Sequence, residues 1–293
     1  MVMQQKYDWK ICVQKHIKAI LKQMARKNKR KQNIIYYQNE LEDEFSTARI
    51  TPRKIDGSYS YNIEKLSRRI IHAICYTVLA RPLAKLFLKL RFRHRIVNRD
   101  VITVTLQEKG HTGYFLYGNH THAIADALIP SMVCAPADAV VIVHPNNVSM
   151  PVLGRITPYL GALPLPDDAE AARNFMRAVQ IAVERGNCVT IYPEAHIWPY
   201  YTKIRPFPDT SFRYPLQYNA PVFCFTNTYQ KRSKGRGINI VTYVDGPFYA
   251  DENLKGRQRR QELRDRVYAA MVERSKCNTV EKIRYVKSDR RRV

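Results

Sequence analysis

The chain has 293 residues, of which 45% are hydrophobic and 11% aromatic, enough for a full folded core, which excludes a disordered polyelectrolyte. Its 49 Lys and Arg outnumber 25 Asp and Glu, giving a formal net charge of +24. A polyanion, either nucleic acid or an anionic lipid surface, is therefore an expected partner. Solvated charge that aids solubility is the alternative.

Six cysteines are spread singly along the chain, at Cys12, Cys75, Cys134, Cys188, Cys224 and Cys277. They lack the close spacing of a disulfide framework or of a metal site, which predicts a reduced, cytoplasmic setting. Lysines run through the N-terminal segment and interrupt any continuous apolar region, so no secretory signal is predicted.

Residues 9–24 place apolar side chains at helical spacing, at Trp9, Val13, Ile17, Ile20 and Met24, while lysines lie outside this stripe. The pattern predicts a basic amphipathic helix suited to an anionic membrane surface. A helix packed on its own domain is the alternative. Residues 32–57 are polar and are predicted to be a linker, so residues 1–57 are assigned to an amphipathic helix and linker.

Residues 70–90 form the most hydrophobic long stretch, which Arg81, Pro82 and Lys85 interrupt near its middle. A charge near the bilayer centre costs roughly 2.5 to 3.5 kcal/mol, and proline breaks or kinks a helix. A spanning helix is therefore not predicted. Residues 58–112 are instead expected to form an interfacial helical hairpin that dips into one leaflet, with an ordinary buried hairpin as the alternative.

From residue 113 onward, short apolar runs alternate with helical periodicity, which predicts an α/β fold with a mostly parallel sheet flanked by helices. Strands are predicted at residues 114–117, 139–143, 162–165, 188–192, 222–226 and 238–244. Helices are predicted at about 123–133, 169–185, 210–218 and 258–274. Residues 113–293 are therefore assigned to one α/β domain.

The sharpest local signal is residues 117–126, Tyr-Gly-Asn-His-Thr-His-Ala-Ile-Ala-Asp, where two histidines follow a predicted strand and precede a helix bearing an aspartate. Functional residues of α/β sheets gather beyond the carboxyl ends of strands. A histidine can act as a base at neutral pH, and a carboxylate fixes its tautomer. No Ser or Cys lies in a nucleophile-elbow sequence nearby, which favours direct general-base attack over an acyl-enzyme.

This run resembles the first signature of the lysophosphatidic acid and glycerol-3-phosphate acyltransferase family, an Asn-His followed by four residues and an Asp. Residues 191–196, Ile-Tyr-Pro-Glu-Ala-His, look like the third signature, usually Phe-Pro-Glu-Gly-Thr-Arg. Residues 160–165, Leu-Gly-Ala-Leu-Pro-Leu, and 219–222, Asn-Ala-Pro-Val, lie where the second and fourth are expected. Four signatures in the family's order are more specific than any one of them.

The resemblance implies a glycerol-phosphate acyltransferase-like α/β fold with an N-terminal helical membrane-surface extension. The protein would be peripheral or monotopic at the cytoplasmic face of a membrane phospholipid surface. The implied reaction moves an acyl group from acyl-CoA or acyl carrier protein, as co-substrate without a cofactor or metal, to a lysophospholipid or glycerol-phosphate hydroxyl. His120 would take the proton and Asp126 would orient its ring, with Asn119 and Glu194 supporting the site.

The chain departs from the family pattern in its first signature. His120 is one residue further from Asp126 than is usual, and His122 is one residue nearer. If His122 and Asp126 share a helix, their spacing puts them on one face. We favour His120 as the base because it follows the Asn, and keep His122 as the alternative.

The arginines that bind the acceptor phosphate in the family are absent from the second and third signatures. A replacement is expected in the aromatic-rich segment that follows the third signature. Arg205 could fork onto phosphate oxygens, with Lys203 as a point charge and His196 nearby. Ordinary solvated cations are the alternative.

Two other function classes fit parts of the sequence. A metal-dependent hydrolase would use His120, His122 and Asp126 as ligands, with His144 or His196 as a fourth. A non-enzymatic polyanion- or membrane-binding protein would use the charge alone. Zinc-finger spacing and ribonucleoprotein-type aromatic motifs are missing from the sequence, so no nucleic-acid partner is predicted.

Overall fold

The computed structural model describes residues 33–45, 50–61, 66–109, 113–235 and 237–288. The chain divides into two units, residues 1–34 and 35–293. Of the first unit only Asn33 and Ile34 are described. The amphipathic helix predicted for residues 9–24 therefore lies outside the described residues.

Nine strands occur in the described residues: β1 (Asn33–Tyr37), β2 (Arg95–Val97), β3 (Tyr114–Gly118), β4 (Ala139–Val143), β5 (Ala162–Pro164), β6 (Cys188–Ile191), β7 (Val222–Lys231), β8 (Ile238–Phe248) and β9 (Ile283–Lys287). Seven form one sheet in the order β2-β8-β7-β3-β6-β4-β5, and β1 pairs with β9. Neighbours in the large sheet are parallel except β7 and β8. The predicted α/β fold with a mostly parallel sheet is confirmed.

The α-helices of the described residues are α1 (Leu66–His72), α2 (Arg81–Phe92), α3 (Asp100–Lys109), α4 (Ala125–Cys134), α5 (Asn146–Ser149), α6 (Leu153–Ile156), α7 (Ala169–Glu184), α8 (Arg213–Gln217) and α9 (Gly256–Ser275). Helix α7 illustrates why they form. The Asp168 side chain caps its first turn by accepting from Ala171 N at 2.8 Å. Its buried residues recur at helical spacing, at Ala171, Phe175, Val179, Ala182 and Val183.

Helices cover both faces of the large sheet. In β3, Phe115 and Tyr117 pack on one face with residues of α7 and α9, whereas Tyr114 and Leu116 pack on the other with residues of α2 and α4. Strands buried on both faces are apolar along their whole length. This explains the uninterrupted apolar run that precedes the histidine motif.

Residues 66–92 form one continuous helical run, called here the apolar helix (Leu66–Phe92), in which the π-helical segment Ala73–Ala80 joins α1 to α2. The chain does not turn back near Pro82, as the predicted hairpin requires. Ala80 and Arg81 keep right-handed helical backbone angles. Pro82 lies in the first turn of α2 directly after the π-helical segment, where the ordinary ladder of hydrogen bonds is already interrupted.

The apolar helix has one buried face and one exposed face. Ala84, Leu88 and Phe92 are buried, and the last two belong to the core on one face of the sheet. On the opposite face, each large apolar residue is between 43% and 71% exposed. These residues are Leu66, Ile70, Ile71, Ile74, Val78, Leu79, Leu83, Leu86 and Leu90. The part Arg69–Phe92 is long and apolar enough to cross a membrane, and an 18-residue stretch of it has a mean hydropathy of 1.4. Exposed apolar surface of this extent marks an interaction surface.

The segment predicted to be a linker, residues 32–57, packs on the α/β domain where it is described. Trp198 Nε1 donates to Asp43 O at 2.7 Å, and Ile55 is fully buried. Ile55 N donates to Asp167 Oδ2 at 2.6 Å. Its polar composition suggested a solvated chain, but its backbone atoms make these contacts and side-chain composition does not report them.

Candidate active site

The histidine motif begins where β3 ends, between β6 and β7. A Cβ on Gly118 would lie 2.2 Å from the ring of Phe225, so this position requires glycine. Asn119 follows and bonds twice to the backbone of β7. Its Nδ2 donates to Asn227 O at 3.1 Å, and its Oδ1 accepts from Asn227 N at 2.7 Å. The start of the motif is thus fixed to the sheet.

Four hydrogen bonds converge on the buried carboxylate of Asp126, in the first turn of α4. Its Oδ2 accepts from His120 Nδ1 at 3.0 Å and from the backbone N–H groups of Thr121 and His122, each at 2.7 Å. Its Oδ1 accepts from Asn227 Nδ2 at 3.2 Å. The donors fill both oxygens, as an ionised carboxylate requires when buried.

The contact with Asp126 determines the tautomer of His120. An ionised carboxylate only accepts hydrogen bonds, so Nδ1 carries the proton and Nε2 keeps its lone pair. Nε2 makes no hydrogen bond within the part of the chain that the structure describes, and 18% of the side chain is exposed. The ring stacks on Tyr192, with centroids 4.5 Å apart. The geometry therefore leaves Nε2 of His120 without a partner among the described residues, at the carboxyl end of the sheet.

His122 has a different environment. Its Nδ1 accepts from Ile124 N at 3.3 Å and Ala125 N at 3.2 Å, and its Nε2 lies 3.3 Å from the hydroxyl of Tyr200. Burial lowers the pKa of His122, although the charge of Asp126 opposes this effect. Helix α4 begins only at Ala125, so His122 and Asp126 do not share a helix face. The His122 ring caps the start of the helix.

The residues proposed as metal ligands are not arranged as a metal site in the part of the chain that the structure describes. Among the described residues, no three His, Cys, Asp or Glu side chains are arranged to hold a metal ion. His144 is exposed and accepts from Asn146 N at 3.2 Å. His196 Nδ1 lies 3.7 Å from Glu44 Oε2. The structure therefore brings neither histidine to the His120 ring.

Glu194 holds the backbone of the motif from the next strand. It is 3% exposed, and its Oε2 accepts from His120 N at 3.2 Å and from the Arg205 guanidinium at 3.3 Å. Its Oε1 accepts from Arg205 N at 3.2 Å. Burial raises the pKa of Glu194, and the nearby positive charge of Arg205 opposes this rise. The carboxylate connects the third signature to the first.

Arg205, which the sequence suggested as a phosphate ligand, is fully buried, and its guanidinium is directed at partners inside the fold. Its guanidinium donates to the carbonyl oxygens of Glu40, Glu194 and His196 and lies over the ring of Trp198. A buried cation is costly unless the protein supplies partners for its donors; Nη1 and Nη2 have such partners, whereas Nε has none among the described residues. Lys203, on the same loop, is exposed. The sequence pattern could not show that Arg205 is buried whereas Lys203 is exposed.

Several residues near the motif were missed from the sequence. Lys282 Nζ lies 3.6 Å from the ring centroid of Tyr200, and the charges of Lys282 and Arg91 both lower the pKa of His122. The guanidinium of Arg91 lies over the ring of Phe92, which packs edge-on against His122. Two cations from distant parts of the chain thus flank the motif. No spacing in the sequence links them.

Ala195 occupies the position at which the resemblance has glycine. Its backbone has a φ of +61°, in the left-handed region. This conformation costs a residue with a Cβ roughly 1 to 2 kcal/mol more than glycine. The loop therefore holds Ala195 in a conformation that favours glycine.

Comparison with known proteins gives a likeness to solved structures but not to known sequences. No family model and no curated protein sequence matches the chain. Among solved structures, the 1-acyl-sn-glycerophosphate acyltransferase PlsC from Thermotoga maritima matches with a TM-score of 0.49 and 16% sequence identity. The match covers 73% of this chain and 83% of that chain.

Removal of the Arg205 charge should lower the stability of the protein much more than removal of the Lys203 charge. We expect Arg205→Met to lower the free energy of unfolding by about 3 to 5 kcal/mol, because it leaves the Glu194 carboxylate buried and unpaired. Lys203→Met should change it by less than about 0.5 kcal/mol, since the side chain is exposed. Chemical denaturation of both variants measures the difference. Equal stability, with a raised KM for a phosphate-bearing substrate in Arg205→Met, would restore the phosphate-binding role.

Proposed function

We propose that this protein is an acyltransferase that moves a fatty acyl group from acyl-CoA or acyl carrier protein to a hydroxyl of a lysophospholipid or glycerol-phosphate. The hydrogen bond between His120 Nδ1 and Asp126 Oδ2, 3.0 Å long, is the observation that supports this most directly. It orients a general base at the carboxyl end of a parallel strand, beside the Glu194 carboxylate that fixes its backbone.

In the proposed reaction, His120 Nε2 accepts the proton of the acceptor hydroxyl as the oxygen attacks the thioester carbonyl. Asp126 stabilises the imidazolium that forms. The tetrahedral intermediate collapses by breaking the carbon–sulfur bond, and the leaving thiolate takes the proton from His120. An ester and a free thiol result, and His120 returns to its starting form.

The hydroxyl nearest in sequence to His120 supports direct attack rather than an acyl-enzyme. Thr121 Oγ1 accepts a hydrogen bond from Tyr229 at 2.8 Å, and the residue is fully buried. A nucleophile needs both a nearby base and access to substrate. The metal-hydrolase alternative is also disfavoured, because His122 Nδ1 already accepts two backbone N–H groups.

Lys282 and Arg91 are the proposed ligands of a phosphate group on the acceptor or the donor. Both act electrostatically on His122, which is close in the chain to the proposed base. Arg205, by contrast, forms a buried ion pair with Glu194. Charge-assisted hydrogen bonds from two cations would hold a phosphate beside the motif.

The apolar helix is the proposed membrane-docking element, and the protein would be peripheral or monotopic at the cytoplasmic face. Leu88 and Phe92 lie in the protein core, so this part of the helix cannot be surrounded by lipid as a spanning helix would be. Its opposite face is exposed and apolar, and Lys89, Arg91 and Arg93 follow at its end. Such a helix lies in the plane of the interface, with its cations at anionic headgroups.

Removal of either the His120 or the Asp126 side chain should abolish most acyl transfer. We expect His120→Ala and Asp126→Ala each to lower kcat by roughly 10² to 10⁴-fold, because general-base catalysis supplies about that factor. Thiol release from acyl-CoA with a panel of lysolipids measures it. His144→Ala, which removes an exposed histidine, should retain turnover. Wild-type turnover in His120→Ala together with loss in His122→Ala would reverse the assignment of the base.

Removal of the cation beside Tyr200 should weaken substrate binding more than catalysis. We expect Lys282→Met to raise the KM for a phosphate-bearing acceptor by about 10-fold, equivalent to about 1.4 kcal/mol, with kcat nearly unchanged. Lys287→Met, an exposed lysine at the other end of β9, is the matched control and should leave KM unchanged. Equal KM values in the two variants would contradict the assignment.

Acidic residues on the exposed face of the apolar helix should release the protein from lipid. We expect the double variant Leu83→Glu/Leu86→Glu to lose most binding to vesicles that contain anionic phospholipid, because the face can no longer enter the leaflet. Vesicle flotation measures the bound fraction. Leu41→Glu replaces a leucine that is 52% exposed, like Leu86, but lies away from the helix, and it should bind as wild type. Undiminished flotation of the double variant would contradict docking by this face.

A further inference from the structure

A chain of hydrogen bonds continues from Asp126 into the sheet, away from His120. Asn227 Nδ2 donates to Asp126 Oδ1 at 3.2 Å, and Asn227 Oδ1 accepts from Thr242 Oγ1 at 2.7 Å. Thr242 Oγ1 lies 2.8 Å from His94 Nε2. Asp126, Asn227 and Thr242 are each at most 2% exposed. This series of hydrogen bonds from Asp126 through Asn227 and Thr242 to His94 is called here the relay. It joins two histidines, His120 and His94, through three buried polar side chains.

The donor and acceptor atoms of these groups allow only one arrangement of the hydrogen bonds in the relay. A carboxylate only accepts, so the amide nitrogen of Asn227 must face Asp126 and the amide oxygen must face Thr242. The Thr242 hydroxyl then donates its one hydrogen to Asn227, and its oxygen accepts from His94 Nε2–H. Burial lowers the pKa of His94 to about 4, so the ring is neutral at neutral pH and has a single N–H to give. Each member has one fixed role.

Asn227 is held in place by the residue that precedes the proposed base. Its backbone N–H and carbonyl both bond to the side chain of Asn119. Thr242 lies opposite Asn227 on β8 and beside Ile96 on β2. The relay thus runs from α4 across β7 and β8 to the residue that precedes β2. A shift of Asn227 would move the Asp126 carboxylate and the strand end together.

The far end of the relay lies at the end of the apolar helix. Phe92 is the last helical residue, and Arg93 ends the helix in a left-handed conformation, with φ of 45°. His94 N then donates to Leu88 O at 3.2 Å. The backbone of His94 is therefore held by the last turn of the proposed membrane-docking helix.

We propose that Asn227, Thr242 and His94 are positioning residues that fix the orientation of the Asp126 carboxylate and tie it to the end of the apolar helix. This inference rests on the proposed acyl-transfer function of the His120–Asp126 pair. Hydrogen bonds to both carboxylate oxygens keep Oδ2 aimed at His120 Nδ1. Without the Thr242 donor, the Asn227 amide oxygen loses its hydrogen bond, and the amide that donates to Asp126 Oδ1 is held less firmly.

Thr242→Val tests the relay, because valine matches threonine in shape and lacks the hydroxyl. We expect kcat to fall by about 10-fold, since small displacements of a catalytic group cost about one to two orders of magnitude. KM should stay within twofold, because the relay does not touch substrate. Thr242→Ser restores the hydroxyl and should restore most of kcat. His94→Leu, at a partly exposed position, should lower kcat in the same way even if Thr242→Val does not fold.

Thr226→Val is the matched control. Thr226 precedes Asn227 on β7, is fully buried, and its hydroxyl has no hydrogen-bond partner among the described residues. The same change of atoms there should leave kcat at the wild-type value. If Thr242→Val and His94→Leu keep kcat as Thr226→Val does, the relay has no positioning role.

A second measurement separates this inference from the proposed function. The proton between His120 Nδ1 and Asp126 should give a downfield resonance in the NMR spectrum that disappears in Asp126→Asn. We expect it to shift in Thr242→Val and to stay in place in Thr226→Val. An unchanged resonance in Thr242→Val would overturn the relay. A wild-type protein that shows the resonance but transfers no acyl group would overturn the proposed reaction instead.

Discussion

The Asp126 carboxylate accepts four hydrogen bonds in a site from which water is nearly excluded, and much of the surrounding structure is arranged to supply them. A buried carboxylate is costly unless its oxygens are filled. The turn after β3, the first turn of α4 and the middle of β7 must therefore keep fixed positions around it. The His120 ring is held by the same requirement, with Nδ1 directed inward at Asp126 and Nε2 directed away from it.

A second buried charge gives the motif its other support. The Glu194–Arg205 pair lies inside the fold, and Glu194 accepts from His120 N. The glutamate of the Pro-Glu segment therefore holds backbone, and its arginine partner is internal. The cations near the motif, Lys282 and Arg91, come from other elements.

Hydrophobic periodicity predicted the central elements well and the outer ones poorly. Strands β3 to β8 and helices α4, α7 and α9 lie within a few residues of their predicted bounds, apart from longer ends of β7 and β8, because buried faces impose a strong pattern. Strand β2 has three residues and β9 reads Ile-Arg-Tyr-Val-Lys, so neither carries such a pattern. The apolar helix was expected to break at Pro82, yet a proline in the first turn of a helical segment removes no hydrogen bond that the segment needs.

The sequence by itself determined the fold class, the residues of the motif and their order, because these depend on periodicity and on residues close together in the chain. Only the tertiary structure decided which histidine ring meets the carboxylate and which loop cation is internal. Asn227 is 101 positions from Asp126, and Arg205 donates to a carbonyl 165 positions away. Such contacts follow from the order of strands in the sheet, and the spacing of residues along the chain does not indicate them.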